Sequence, residues 1–413
     1  MNDILKASIV SIYGEEDAST QIKRYQNAID KFTEHFGKRN FEIFSAPGRI
    51  EICGNQVDHN DGVVLSAAVN ADTIAVCSPT DDKIITIVSE GYEPFSVDLD
   101  LVAGISIESG TSAALVRGIA TALKNKGYTV GGFCAYITSD IQSGSGLSSS
   151  AAFEVVIGTA LNYFYCGNRL TQTDIAKIGQ YAENNFFGKP SGLMDQLTSA
   201  NGGLICTDFE RPNMPKVHKI SFNFDSAGYD ICVIDTKSSH ADLTGDYADI
   251  PKEMKLIAGF FSAETLRFAT KEEVMENIPS LREFYGDRAV LRALHYFEEV
   301  GRAADCADAL VAKDLDTFFD AINKSGESSQ ILLQNLYSTK SPRNQALNIA
   351  VYLCKSILAN EGAVRVHGGG FAGTVLAFVP KELTNEFTEK VNAVFGENSV
   401  HKLKIRKNGA VKL

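Results

Sequence analysis

The segment GGFCAYITSDI, residues 131–141, continues into QSGSGLSSSAAFEVVIGTALNYFY, residues 142–165. The first part is rich in β-branched and aromatic residues and predicts a strand, and the second passes through a turn of small residues into a long apolar helix. A strand, a glycine loop and a helix in this order present backbone N–H groups to an anion. We therefore predict a phosphate-binding loop, formed by Gly144, Ser145, Gly146, Leu147, Ser148, Ser149 and Ser150.

This loop differs from the common P-loop, because it lacks the lysine of the pattern GxxxxGK[ST]. Its glycines allow a backbone to approach phosphate closely, and its serine hydroxyls can ligate magnesium or donate to phosphate oxygens. A Gly/Ser turn before a helix also serves as a simple structural cap. The loop by itself therefore leaves both interpretations open.

Composition indicates an acidic protein with two lobes. The chain has 413 residues, of which 44% are hydrophobic, and a domain usually takes about 100 to 200 residues. The formal charge of −12 disfavours nucleic acid or an anionic membrane as the main partner, because both select basic patches. Eight cysteines without a CxxC pair predict buried reduced thiols. Because neither a signal peptide nor a long apolar run is evident, we expect a cytoplasmic protein.

Four further features are candidates for catalytic or ligand-binding roles. Asp195 lies in the apolar segment SGLMDQL, where a charge needs a partner or a task. Arg49 follows a Pro-Gly turn, where an arginine can hold a fixed geometry for an anion, although a surface arginine is the simpler interpretation. Glu183, near a predicted helix end, is by itself typical of a solvated charge. The glycine cluster at 368–373 precedes a strand and alone indicates only a turn.

Separated segments of the chain together resemble one known family. SAPGRIEICGNQVDHNDG (45–62) resembles the first signature of galactokinases, GSGLSSSAA (144–152) the second signature of the wider GHMP kinase superfamily, and VHGGGFAG (366–373) the third. GLMDQ (192–196) and DLTGDY (242–247) are also similar to galactokinase segments. The resemblance therefore extends over nearly the whole chain.

The resemblance implies an α+β, two-lobed GHMP kinase fold with the active site in the cleft between the lobes. We divide the chain into an N-terminal lobe, residues 1–215, which would contain the sugar-binding and phosphate loops, and a C-terminal lobe, residues 216–413. The implied activity is transfer of the γ-phosphoryl group of ATP, with Mg²⁺, to the anomeric hydroxyl of a hexose.

The same resemblance implies roles for individual residues. Asp195 matches the catalytic aspartate, the candidate general base, and Arg49 matches the arginine that orients it and lowers its pKa. Glu183 matches the acidic magnesium ligand, acting with a serine hydroxyl for which we take Ser149. The loop from Gly144 to Ser150 would hold the phosphates.

The third motif and two further residues surround the substrate in the family. Asp58 and Tyr247 match residues that hydrogen-bond sugar hydroxyls, and His240 lies close enough in sequence to Tyr247 to be a candidate for the same pocket. The loop that closes over nucleotide and substrate corresponds to Gly368, Gly369 and Gly370.

The first signature departs from the family in its middle. Galactokinases typically have Gly-Glu-His-Thr-Asp-Tyr where this chain has Gly-Asn-Gln-Val-Asp-His. The glutamate and histidine that contact the sugar around its C6 hydroxyl are thus Asn55 and Gln56, and the tyrosine after Asp58 is His59. An amide donates as well as accepts hydrogen bonds, whereas an ionised carboxylate only accepts them. These amides can therefore bind either a hydroxyl or a carboxylate at C6.

Two substrates remain in competition. A galactose 1-kinase is favoured because Asp58 and Tyr247 are retained, and a galacturonate 1-kinase is the alternative, in which a protonated His59 would add positive charge. An N-acetylhexosamine has no feature in its favour. Because some galactokinase-like proteins bind sugar and ATP without turnover, a sensor is the alternative from another class, although the retained Asp195 and Arg49 argue against it.

Overall fold

The structure, a computed structural model, describes residues 3–101, 108–142, 144–238 and 243–413. Its strands are β1 (Glu42–Cys53), β2 (Val63–Pro79), β3 (Ile84–Ser89), β4 (Phe95–Asp98), β5 (Phe133–Ser139), β6 (Leu204–Asp208), β7 (Lys216–Ile220), β8 (Tyr229–Asp235), β9 (Ala363–His367), β10 (Thr374–Pro380), β11 (Val400–Leu403) and β12 (Val411–Lys412). Its helices are α1 (Asp3–Phe36), α2 (Ser112–Asn125), α3 (Ser149–Tyr165), α4 (Gln172–Ala182), α5 (Met194–Asn201), α6 (Thr244–Phe260), α7 (Lys271–Glu276), α8 (Ile278–Tyr285), α9 (Asp287–Ala312), α10 (Leu315–Ser328), α11 (Ala346–Leu358) and α12 (Thr384–Phe395).

The larger sheet has the strand order β12-β1-β2-β5-β3-β4, and β6 and β7 join it through β2. Neighbouring strands in it are antiparallel, except for β3 and β5, which are parallel. Strands β7 and β12 come from residues 216–220 and 411–412. The sheet therefore includes residues from both sides of the boundary that we placed at 215.

The smaller sheet has the order β11-β8-β10-β9 and is antiparallel throughout its described strands. Between the two sheets lies an apolar cluster in which Ile50 and Ile52 of β1 join Ala303, Cys306 and Phe318 of α9 and α10. Burying such side chains is the main favourable term in folding. Through this cluster, the strand of the larger sheet that carries the first motif packs against α9 and α10.

Most of the predicted elements are confirmed. The segment TSAALVRGIATALKNK, residues 111–126, predicts a helix, and the structure has α2 there, ending just before Gly127, which has a φ of +86°. The stretch 251–360 has a mostly helical pattern in the sequence and is mainly helical in the structure. Apolar residues spaced three or four apart predict a helix at 20–36, and the observed helix is longer, since α1 begins at Asp3 and continues through a non-helical φ/ψ at Gly14. Ile9 and Tyr13 are buried, and their packing explains the earlier start.

The expectation of buried thiols is met. All eight cysteines lie in the described part of the chain as free thiols, seven of them buried and Cys206 half-buried. Among the described residues, no helix is long and apolar enough to cross a bilayer.

Strand β1 is irregular where it carries the first motif. Its register with β2 shifts between Pro47 and Arg49 and again between Glu51 and Cys53. Such β-bulges bend a strand and redirect its side chains, and they are common beside active sites. The first shift lies directly before Arg49, and the second lies directly before the turn that begins at Gly54.

Candidate active site

Arg49 and Asp195 form a bidentate ion pair across 146 positions of sequence. Arg49 Nε lies 2.5 Å from Asp195 Oδ1, and Arg49 Nη2 lies 2.7 Å from Oδ2. The third nitrogen, Nη1, donates to the carbonyl oxygen of Gly146 at 2.5 Å. The backbone N–H of Arg49 donates to the carbonyl oxygen of Leu147 at 3.0 Å. One guanidinium thus connects the first motif, the second motif and the GLMDQ segment.

Asp195 lies in the first turn of α5, and 23% of its side chain is exposed. Ser148 Oγ donates to its Oδ2 at 2.6 Å. Burial alone raises the pKa of Asp195, but the charge and hydrogen bonds of Arg49, with smaller contributions from Lys189 and Ser148, lower it more, so the pKa lies below its ordinary value. The carboxylate is therefore ionised and held beside the start of α3.

The predicted phosphate loop leads into the N-terminus of α3. Ser148 occupies the N-cap position with a φ of +59°, and its hydroxyl turns to Asp195 instead of capping the helix. The N-terminus of a helix carries a partial positive charge and unpaired N–H groups, which favour an anion. A Cβ on Gly146 would lie 2.2 Å from Thr374 Oγ1, so a glycine is needed for the loop to approach the third motif.

Glu183 begins a π-helical turn that continues α4 and ends at Phe187. Such turns occur frequently at functional sites. The carboxylate accepts four hydrogen bonds, from Ser150 Oγ (3.2 Å), Lys189 Nζ (2.9 Å), Ser191 Oγ (2.5 Å) and Gln196 Nε2 (2.9 Å). The serine hydroxyl that contacts Glu183 is thus that of Ser150, and not that of Ser149, which we took from the sequence.

This arrangement of donors fits magnesium. Carboxylate and hydroxyl oxygens are hard ligands, and Mg²⁺ is usually bound by one or two carboxylates together with substrate phosphates. The ammonium group of Lys189 lies 2.9 Å from Glu183, so a cation already occupies this side of the carboxylate, and the lysine side chain is 53% exposed. The described residues contain no group of three or more His, Cys, Asp or Glu side chains that would hold a metal unaided. A magnesium ion at this site would therefore need phosphate oxygens as further ligands.

Asp58 lies in a short 3-10 turn after β1, facing the turn that precedes α5. Its Oδ2 accepts a long hydrogen bond, 3.5 Å, from the backbone N–H of Met194, and the backbone N–H of His59 also interacts with this carboxyl. A Cβ on Gly192 would lie 1.7 Å from the same oxygen, so the glycine makes this approach possible. Burial, followed by the charges of Asp195 and Glu51, raises the pKa of Asp58 to about 7. This carboxyl is therefore partly ionised at neutral pH.

The side chain of Asn55 is engaged by partners within the protein. Its side chain is fully buried, and Nδ2 donates both of its hydrogens, to Glu51 Oε1 at 2.8 Å and to the carbonyl oxygen of Gly368 at 2.6 Å. Its Oδ1 accepts from Asn335 Nδ2 at 2.9 Å. The prediction that Asn55 contacts the sugar is therefore corrected, because the bonds of this amide are satisfied within the protein.

Gln56 remains near the predicted sugar site, with a φ of +59° and a half-buried side chain. Its Oε1 lies 3.3 Å from His59 Nε2, while His59 Nδ1 lies 2.9 Å from Asn60 Nδ2. Burial, assisted by the charges of Lys255 and His295, lowers the pKa of His59 to about 3. His59 is therefore neutral, which does not favour the prediction that it adds positive charge to bind a carboxylate.

The glycine loop of the third motif is held through three consecutive carbonyl oxygens. The carbonyl oxygen of Gly368 accepts from Asn55 Nδ2 (2.6 Å), and that of Gly369 accepts from Asn335 Nδ2 (3.1 Å). The carbonyl oxygen of Gly370 accepts from the hydroxyl of Tyr247 (3.0 Å). A Cβ on Gly369 would lie 2.5 Å from Tyr247 Cε1. Tyr247 therefore lies against this loop. His240, the weaker candidate for the same pocket, lies outside the described residues.

Sequence reasoning missed two buried side chains of α9. Glu299 Oε1 accepts from the backbone N–H groups of Gly54 at 3.0 Å and Asn55 at 3.1 Å, and His295 Nε2 donates to the carbonyl oxygen of Asn55 at 2.9 Å. Burial raises the pKa of Glu299, but its interactions with His295, Arg365 and Arg302 lower it more, to about 2. No local pattern could indicate these residues, because their partners lie more than 200 positions away.

Comparison with protein families agrees with this geometry. Residues 114–203 match the GHMP kinases N terminal domain, and residues 30–79 match the galactokinase galactose-binding signature. A galactokinase from Actinobacillus pleuropneumoniae serotype 3 (strain JL03) is 31% identical over 370 residues, which covers 87% of this chain and 91% of that protein. A galactokinase from serotype 5b (strain L20) is 31% identical over 368 residues, with coverage of 87% and 90%.

Solved structures show the same fold. Lactococcus lactis galactokinase complexed with galactose superposes with a TM-score of 0.81 at 25% identity, covering 94% of this chain and 100% of that one. Methanococcus jannaschii mevalonate kinase, at a TM-score of 0.61 and 16% identity, covers 89% and 99% and supports the fold alone. The expected α+β GHMP kinase fold is thus confirmed. Because its relatives at 31% identity span nearly the whole chain, this protein belongs to the galactokinase family and is a sugar kinase.

Proposed function

We propose that this kinase transfers the γ-phosphoryl group of ATP to the anomeric hydroxyl of galactose. The observation that supports the reaction most strongly is the carboxylate of Asp195, which Arg49 and Ser148 hold beside the N-terminus of α3. A base and a phosphate-binding helix end at one point are what phosphoryl transfer to a hydroxyl requires. The match to the galactose-binding signature and the names of the relatives support galactose as the acceptor.

In this reaction the anomeric oxygen forms a bond to the γ-phosphorus while the bond from phosphorus to the bridging oxygen of ADP breaks. Asp195 accepts the proton of the attacking hydroxyl. Because Arg49 keeps the pKa of Asp195 low, the carboxylate is a weak base, and its main contribution is to hold the hydroxyl in line with the phosphorus. Arg49 remains as the positive charge nearest the reacting oxygen.

The phosphates bind at the N-terminus of α3, where the loop from Gly144 to Ser148 provides backbone N–H groups. Glu183 and Ser150 would hold Mg²⁺ there, displacing Lys189 from the carboxylate. When bound, the ion neutralises charge on the transferring phosphoryl group.

On the sugar side, Asp58, Gln56 and Tyr247 provide the polar groups. Galacturonate is not favoured as the substrate. A carboxylate at C6 would meet a neutral His59 and the partly ionised Asp58, and the donors of Asn55 are already engaged. A hydroxyl at C6 requires no positive charge, which agrees with galactose.

The test is release of ADP with ATP and magnesium across galactose, glucose, galacturonate, glucuronate and N-acetylgalactosamine, with the site of phosphorylation determined by NMR. We expect galactose to give the highest kcat/KM and the product to carry phosphate on the anomeric oxygen. A higher kcat/KM for galacturonate, or phosphate at any other position, contradicts the proposal. Equal and negligible rates for the wild-type protein and Asp195→Asn would contradict turnover itself.

A further inference from the structure

Asn55 is hydrogen-bonded through both its side chain and its backbone to several separate segments of the chain. Beyond its bonds to Glu51 and Gly368, its Oδ1 accepts from Asn335 Nδ2, with Ser329 Oγ 3.4 Å away. Its backbone N–H and carbonyl are engaged by Glu299 and His295 of α9. Both its side chain and its peptide groups are therefore fixed by residues from distant parts of the chain.

Asn335 contacts both Asn55 and the glycine loop. Its Nδ2 donates to Asn55 Oδ1 and to the carbonyl oxygen of Gly369, and its own carbonyl oxygen accepts from the backbone N–H of Phe371. A Cβ on Gly370 would lie 2.2 Å from that carbonyl oxygen, so the glycine loop approaches Asn335 as closely as a glycine allows. Asn55 and Asn335 together hold the backbone from residue 368 to residue 371.

The chemistry at position 55 requires an amide. One N–H faces the carboxylate of Glu51, which is itself buried and paired with Arg365 at 2.8 Å, and the other faces a carbonyl oxygen. A carboxylate at position 55 would have no hydrogen to donate to either group and would bring a second negative charge against Glu51 in a buried setting. The departure from the family motif at this position therefore has a structural cause within this chain.

We propose that Asn55 and Asn335 form a latch that couples the sugar-binding turn at residues 54–59 to the glycine loop at residues 368–371. Asn55 is then a positioning residue, and its effect on the reaction passes through the glycine loop instead of through a bond to the sugar. This inference rests on the proposed kinase reaction, since its kinetic consequences are measured in that reaction.

A double-mutant cycle separates this role from direct sugar contact. We expect Asn55→Ala and Asn335→Ala each to lower kcat by about 10- to 100-fold, since each leaves buried polar groups without partners, while the KM for galactose stays within about threefold. The kcat of the double variant should be only slightly lower than that of the less active single variant, because both changes break the same contact between Asn55 and Asn335. Asn55→Glu, which restores the family residue, should also lose activity.

Asn323→Ala is the matched control, because Asn323 likewise bonds the backbone on both sides, at Gly362 and Val364, but lies outside both loops. It should retain wild-type kcat even where its melting temperature falls. The proposal is overturned if Asn55→Ala raises only the KM for galactose while Asn335→Ala behaves as wild type, or if the two effects are additive. If the wild-type protein prefers another sugar, the proposed substrate fails, and the cycle is measured with that sugar.

Hydrogen exchange on the wild-type protein tests the latch even if a variant does not fold. Galactose added without nucleotide should slow amide exchange in residues 329–335, which the latch connects to the sugar-binding turn. Unchanged exchange in this segment at saturating galactose, with slowed exchange at 54–59, would overturn the proposal.

Discussion

Two half-buried aspartates of the candidate site, Asp195 and Asp58, have pKa values that shift in opposite directions. Burial raises the pKa of both. Asp195 is paired with the guanidinium of Arg49 at 2.5 and 2.7 Å, and its pKa falls below the ordinary value. Asp58 instead interacts with the backbone N–H groups of Met194, at a long 3.5 Å, and His59, and its pKa rises to about 7. The direct partner, and not burial, therefore decides the charge.

The difference assigns the two carboxyls to different tasks. A carboxylate that is already ionised can hold and deprotonate the attacking hydroxyl at any ordinary pH. A carboxyl that titrates near neutrality without a strong partner in the protein is left for the substrate, whose hydroxyls can supply the missing hydrogen bonds. The following predictions alter one side of this comparison at a time.

The largest effect is expected from removing the ionised carboxylate. Asp195→Asn should lower kcat by about 10³-fold, since an amide neither holds the attacking hydroxyl as an ionised carboxylate does nor accepts its proton, and such groups contribute about 10² to 10⁴. Asp287→Asn is the matched control, because Arg282 and Asp287 form an exposed pair with the same 2.5 Å separation. Steady-state ADP release measures both. A loss below tenfold in Asp195→Asn would exclude the carboxylate as the base.

Changing the partner of Asp195 should have the next largest effect. Arg49→Met leaves the carboxyl buried without its cation, so the pKa of Asp195 should rise above its ordinary value, and kcat should fall by about 10²-fold. Because activity requires the ionised form, the acidic limb of the profile of kcat/KM against pH should move to higher pH. An unchanged acidic limb would show that Arg49 does not set this pKa. Arg282→Met is the control at the exposed pair.

On the opposite side, Asp58→Asn should raise the KM for galactose by about 10- to 100-fold, as expected for loss of a hydrogen bond to a charged group, and should affect kcat less. The sign of the pH effect follows from the raised pKa: the wild-type carboxyl ionises as pH rises through about 7, so the KM should fall over that interval. The variant should lack this transition. A wild-type KM that is flat between pH 6 and 8 contradicts this assignment.

The smallest effect is expected from Gly192→Ala. The new Cβ would lie 1.7 Å from Asp58 Oδ2, so Asp58 must move, and the KM for galactose should rise by less than about tenfold with little change at Asp195. Gly259→Ala is a suitable control, because no atom lies within 4 Å of a Cβ at that position. An equal loss of kcat in Gly192→Ala would show that the two aspartates do not act separately.

The sequence was most informative where chemistry is local. The glycine and serine loop at 144–150 precedes a helix N-terminus as expected, and the charge in SGLMDQL, Asp195, has the partner that its apolar setting requires. The roles of Asn55 and Asn335 could not be predicted in this way. Their bond spans 280 positions, and an asparagine in a loop has the same local pattern whether it faces a sugar or another asparagine. The choice of Ser150 over Ser149 depends on side-chain direction at the start of α3, which sequence does not specify.

A pH titration of the aspartate carboxyl carbons by ¹³C NMR tests the opposite pKa shifts of the two carboxyls most directly, with Asp58→Asn and Asp195→Asn used to assign the two resonances. We predict that Asp58 titrates near pH 7 while Asp195 remains ionised to a pH below its ordinary pKa. Saturating galactose should lower the pKa of Asp58, because substrate hydroxyls stabilise its ionised form. If both carboxyls titrate at their ordinary pKa, or if Asp195 titrates above Asp58, the division of roles between the two aspartates is wrong.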